Sequence, residues 1–159
     1  LGGWVCGVGW VTAVCWGGRG VSGAVRWWDE EGGVLRGRIR GGDGGVGSVG
    51  GSPSGVLVSA GGGDGAVHLW DAGSCTFRET LRGHEGWVYS VSWSPSGVLA
   101  SGGDDGTVRL WDEESGTLRE TLRGHEGDVT SVSWSPSGGL ASAGGSDGTV
   151  LLWDEESGT

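Results

Sequence analysis

One text occurs twice in this chain. Residues 80–112 read TLRGHEGWVYSVSWSPSGVLASGGDDGTVRLWD and return forty-one residues later, at 121–154, as TLRGHEGDVTSVSWSPSGGLASAGGSDGTVLLWD, with one residue inserted. A period of about forty marks a repeat architecture, in which each unit is one small sheet that buries its faces only against its neighbours. Two worn copies precede the good ones. Residues 30–71 keep the length, with Gly42 where His84 stands and Gly51 where Trp93 stands. Residues 1–29 end in Val25-Arg26-Trp27-Trp28-Asp29, the counterpart of Val108-Arg109-Leu110-Trp111-Asp112. Aligning WVTAVCW at 10–16 with WVYSVSW at 87–93 makes this first copy six residues short. The expectation is that a turn and part of a strand are lost and that residues 1–9 stand in the place of a first strand.

Within a copy, four short strands are expected, at 77–82, 88–93, 98–101 and 107–111. Ser94-Pro95-Ser96-Gly97 is a turn, because Pro presets φ and Gly accepts a positive one. Asp104-Asp105-Gly106 signals a tight hairpin. No stretch carries a helical period, so the class is all-β, built from four-stranded antiparallel meanders. Although 39 of 159 residues are Gly, they recur at fixed offsets, and eleven Trp argue against disorder. Gly-rich 41–51 offers few side chains to bury, and the second copy, which lacks the His, is expected to be the looser one. Twenty acids against ten arginines give a formal charge of −10, which repels phosphate backbones and argues against direct nucleic-acid binding. Cys6, Cys15 and Cys75 are odd in number and lack C-x-x-C spacing, so neither a disulfide framework nor a zinc site is expected. That leaves the redox compartment open, with an intracellular setting favoured. The apolar residues 1–16 lack a basic leader and fall short of the roughly 20 needed to span a bilayer, so no membrane role is expected.

The recurring Gly83-His84, Ser-Pro-x-Gly, Asp-Gly-Thr-Val and Trp111-Asp112 elements resemble those of the WD-repeat β-propeller family. The resemblance implies one domain over 1–159, with a degenerate repeat at 1–29 and complete ones at 30–71, 72–112 and 113–154. It also implies a buried tetrad in each good copy: His84, Ser101, Asp105 and Trp111, then His125, Ser142, Asp147 and Trp153. The second copy keeps Ser59, Asp64 and Trp70. By the same resemblance the function is a non-catalytic scaffold that docks a peptide or protein on its top face. The two good copies differ at the family's top-face positions, where Trp87, Tyr89 and Asp104 in one become Asp128, Thr130 and Ser146 in the other. Trp87 and Tyr89 are the expected anchors. A carbohydrate-binding propeller, with sugar rings stacked on tryptophan, is the alternative.

Other chemistry is weaker. His, Ser and Asp together suggest a hydrolase triad, but a set that recurs in near-identical repeats is more economically a packing device. Residues 45–50 match G-x-G-x-x-G without a following helix. Asp104-Asp105 could pair carboxylates on a metal, yet the other copies lack the second acid; no metal or cofactor is expected. His68 aligns with Arg109 and Leu151, as an ordinary strand residue would, and the Asp-Glu-Glu runs read as solvated turns. Four copies suit a partial propeller. In the resembled family the last blade is often completed by a strand from the other end of the chain. Two chains closing one ring of about eight blades, or a longer propeller of which this is a fragment, also fit.

Overall fold

The computed structural model describes residues 4–8, 11–15, 24–28, 35–40 and 45–154. Among them are fifteen strands and no helix. The regular part begins with β5 (Ser48–Gly51), β6 (Val56–Ala60), β7 (Ala66–Asp71) and β8 (Thr76–Arg82), an antiparallel sheet in that order. A second sheet follows from β9 (Val88–Trp93), β10 (Val98–Gly103), β11 (Thr107–Asp112) and β12 (Leu118–Arg123). The last has three strands, β13 (Val129–Trp134), β14 (Leu140–Gly144) and β15 (Val150–Trp153). Turn chemistry sets the spacing. Ser94 accepts the Val98 amide on its hydroxyl at 2.8 Å, and Gly97 takes φ 87°. Gly106 takes φ 71° in the β10–β11 hairpin, a conformation only Gly adopts without strain.

The sheets are not the repeats. Residues 77–82, expected to open the third copy's own sheet, lie in β8, which pairs with β7 of the copy before (Val67 opposite Leu81). Likewise β12 pairs with β11, Val108 opposite Leu122. Each copy therefore lends its first strand to the preceding blade, and the Gly-His-Glu-Gly loop crosses from one blade to the next. The covalent period and the hydrogen-bonded period are offset by one strand, so no sequence repeat can be separated from its neighbour without breaking a ladder.

The first copy departs from its expected alignment. β1 (Trp4–Val8) pairs antiparallel with β2 (Val11–Cys15), Val8 opposite Val11, and β3 (Ala24–Trp28) pairs with β4 (Leu35–Arg40). β2 runs beside β3, and β1 and β2 both lie against β5, as β5 and β6 lie against β9. The innermost strand of this blade is thus β1, and Val11–Cys15 serves as its second strand. Residues 3–10, GWVCGVGW, match 86–93, GWVYSVSW, and on that alignment Trp10 to Trp28 spans the same interval as Trp93 to Trp111, so no residues are lost. Nor does β1 stand in the place of an outer first strand for the last blade.

Blades stack through one repeated contact. Val88, Val91 and Leu99 of the β9–β12 blade pack on Val58, Val67 and Leu69 of the blade before it. Val129, Val132 and Leu140 pack on Val98, Ala100, Val108 and Leu110 in the same way. Val46, Val49 and Leu57 meet Val25 and Ile39. Hence the Gly-rich segment expected to bury little still supplies two valines to a core; its residues 41–44 lie outside the described ones. The inner strands are also stitched by serines: the Val91 amide donates to Ser48 Oγ (3.2 Å), that of Val132 to Ser90 Oγ (3.1 Å) and that of Trp134 to Ser92 Oγ (3.3 Å).

Candidate functional site

Four residues from four places meet in the β9–β12 blade. His84 sits on the loop between blades, Ser101 on β10, Asp105 in the following hairpin and Trp111 on β11. Trp111 Nε1 donates to Ser101 Oγ at 2.8 Å, Ser101 Oγ lies 2.8 Å from His84 Nε2, and His84 Nδ1 lies 3.0 Å from Asp105 Oδ2. One proton arrangement satisfies every group: indole N–H to hydroxyl, hydroxyl to Nε2, and Nδ1–H to carboxylate. Asp105 also accepts the Glu85 and Thr107 amides and the Thr107 hydroxyl, tying the crossing loop to the hairpin. The last blade repeats the set with Trp153, Ser142, His125 and Asp147, at 2.8, 2.7 and 3.0 Å. In the β5–β8 blade only the Trp70 to Ser59 link is described, at 3.0 Å, and Asp64 caps the Ala66 amide.

Burial and charge fix the protonation. Desolvation lowers the His84 pKa, with Asp105 opposing it, so the ring is neutral near pH 7. Burial raises the Asp105 pKa, but hydrogen bonds from Thr107 and Glu85 and the adjacent His84 outweigh it and bring it to about 2. Asp147 is likewise brought to about 2, chiefly by the Thr149 amide and then by His125.

Ser, His and Asp here follow the bonding order of a hydrolase triad. Their surroundings do not suit that chemistry. Ser101 is 0% and Ser142 1% exposed, and each hydroxyl oxygen already accepts an indole N–H. Asp104 and Asp105 diverge, one outward and one into the tetrad. Among the described residues no group of three or more His, Cys, Asp or Glu is placed to hold a metal. The G-x-G-x-x-G stretch runs into β5, an inner strand with no helix behind it. His68 lies on β7, hydrogen-bonded to Thr80 at 3.0 Å and tilted against Trp70 and Phe77. Glu113, read as a solvated charge, accepts hydrogen bonds from Ser52 and Ser54 in the turn of the neighbouring blade.

The six expected partner-binding residues fall on one rim. Trp87 and Tyr89 are 45% and 37% exposed. Trp87 O accepts the Asp104 amide at 2.8 Å, bringing the hairpin tip beside the indole-bearing backbone. On the next blade Asp128 O accepts the Gly145 amide (2.8 Å), and Asp128 Oδ1 accepts the Ser146 hydroxyl (3.1 Å). Thr130 donates to Ala143 O. Partial desolvation and the charges of Asp104 and Asp128 raise the Tyr89 pKa, so the two blades meet electrostatically at that phenol.

Repeated antiparallel blades, one-strand overlap and a His-Ser-Asp-Trp lock define a propeller-type repeat protein. The WD domain, G-beta repeat family matches residues 33–71, 75–112 and 116–154, and the chain belongs to that family. No curated protein matches it. WD repeats serve in general as protein-interaction scaffolds and are typically non-enzymatic.

Proposed function

We propose that this chain is a scaffold that docks a peptide or protein partner on the rim formed by Trp87, Tyr89, Asp104, Asp128, Thr130 and Ser146. The carrying observation is the exposure of an indole and a phenol on a rigid edge: among the tryptophans of residues 45–154, Trp87 alone is exposed. Large aromatic side chains on a rigid surface lose little entropy on binding and commonly dominate it. The blades beneath are locked by tetrads and shared strands, which suits a preorganised platform. Carbohydrate stacking is favoured less, because Trp70, Trp111 and Trp153 are engaged in indole hydrogen bonds and Trp93 and Trp134 pack against the core.

A display library of random peptides selected on the whole chain tests this. Trp87→Ala is expected to weaken selected peptides by about tenfold or more, the usual loss at a binding hot spot. Peptide binding indifferent to that change, with glycan-array binding that survives it, contradicts the reading and favours the carbohydrate one.

A further inference from the structure

The β9–β12 blade has a neighbour on each side: β9 lies against β5 and β6 of one and against β13 of the other. Trp87 and Tyr89 nevertheless stay 45% and 37% exposed, so neither ring belongs to a seam between blades. The indole is held in place. A Cβ at Gly63 would stand 3.5 Å from Trp87 Nε1, so the ring lies against the hairpin tip of the preceding blade, where the absence of a side chain makes room for it.

Beside the indole stands a carboxylate with nothing to hold. Asp64, Asp71, Asp105, Asp112, Asp128 and Asp147 each accept an amide or a hydroxyl from the chain. Among the described residues the Asp104 carboxylate accepts no hydrogen bond and forms no ion pair, and the Trp87 Nε1 and the Tyr89 hydroxyl have no partner either. Asp104 folds back over the residue before Trp87, since a Cβ at Gly86 would meet its Oδ2 at 3.1 Å. The hairpin does not require this charge, because Gly63 and Ser146 hold the same place in the neighbouring copies. Asp128 keeps its charge nearby, and both carboxylates act on the Tyr89 phenol.

We propose that the rim receives an arginine side chain of a basic peptide, its guanidinium stacked on the Trp87 indole and donating to Asp104, with Asp128 adding attraction. This names the partner's chemistry and rests on the reading that a peptide docks on this rim. A guanidinium lies flat on an aromatic face while its N–H groups stay free to donate in the plane to a carboxylate; a compact ammonium has no such plane. The two open oxygens of Asp104 suit that fork. A formal charge of −10 draws a basic segment toward the chain from a distance.

The test uses peptides selected on the whole chain that lose binding on Trp87→Ala. They are expected to share an arginine, and replacing it with citrulline, which keeps the shape and removes the charge, is expected to weaken binding by about tenfold. Asp104→Asn is expected to cost a similar factor with an unchanged thermal midpoint, because its carboxylate holds no partner in the free chain. Citrulline is then expected to cost little more in that variant, since the two changes remove one interaction. Raising salt from about 50 to about 500 mM is expected to weaken binding to the wild type more than to Asp104→Asn. Trp87-dependent peptides without arginine, or ones indifferent to citrulline, to lysine in its place or to Asp104→Asn, overturn the arginine proposal while the peptide-docking reading stands. Finding no Trp87-dependent peptide overturns both.

Discussion

Removing a single oxygen at Ser101 leaves two neighbours without a partner. Trp111 loses its acceptor and His84 Nε2 loses its donor, both in a site where Ser101 is fully buried. Leaving such groups unsatisfied costs about 1–3 kcal/mol. Ser59→Ala strands only the Trp70 indole, itself half-buried. Urea unfolding is therefore expected to show a larger loss for Ser101→Ala than for Ser59→Ala, and equal losses would contradict the tetrad's role as a lock. The same groups set the pH response. His84 binds its proton less readily when folded than at its ordinary value of 6.5, and Asp105 and Asp147 titrate at about 2 instead of 3.8. In each case the unfolded chain holds more protons over the intervening range, so stability rises with pH there. The thermal midpoint is expected to be level above neutrality, to fall as pH drops below 6.5, and to fall again below 3.8. A midpoint that rises on acidification to pH 5 contradicts this. The residues of the tetrad were legible because Gly-His and Trp-Asp flank them at fixed offsets. The Glu113 contact with Ser52 and Ser54 was not, since it links turns of two copies 59 and 61 residues apart.

Strands were legible from alternation between turn signals, and β9 to β11 lie within a few residues of where the sequence puts them. Sheet membership was not. TLR at 80–82 reads the same whether it pairs forward or back, and only the open edge of β7 decides it. The first copy shows a second kind of ambiguity. Residues 4–10, WVCGVGW, and 10–16, WVTAVCW, both fit W-V-x-x-V-x-W and share Trp10. Choosing the second frame shifts the copy by six residues and creates an apparent deletion. The fold takes the first, because Val5 and Val8 then continue the inner-strand series and Val11–Cys15 turns back as its partner. A pattern with two valid registers is resolved by its neighbours, here β5 on one side and β3 on the other.

At the scale of the molecule, function follows from what the blades hold still. Four blades bury a repeated Val-Val-Leu set at their junctions and interlock by a strand, which leaves the loops at one end as the variable part. Between the two good copies the text from Arg78 to Gly86 is unchanged at 119–127, and the differences begin at Trp87 and Asp128. Those two positions, with Tyr89, Asp104, Thr130 and Ser146, are where a partner is proposed to sit. The most direct test is the hydrogen-exchange footprint of a peptide selected on the whole chain. Slowed exchange is expected at residues 86–89, 103–105, 127–130 and 145–147, with β8 and β12 unaffected. Protection confined to the outer strands β8 and β12, with the rim unchanged, would contradict the account.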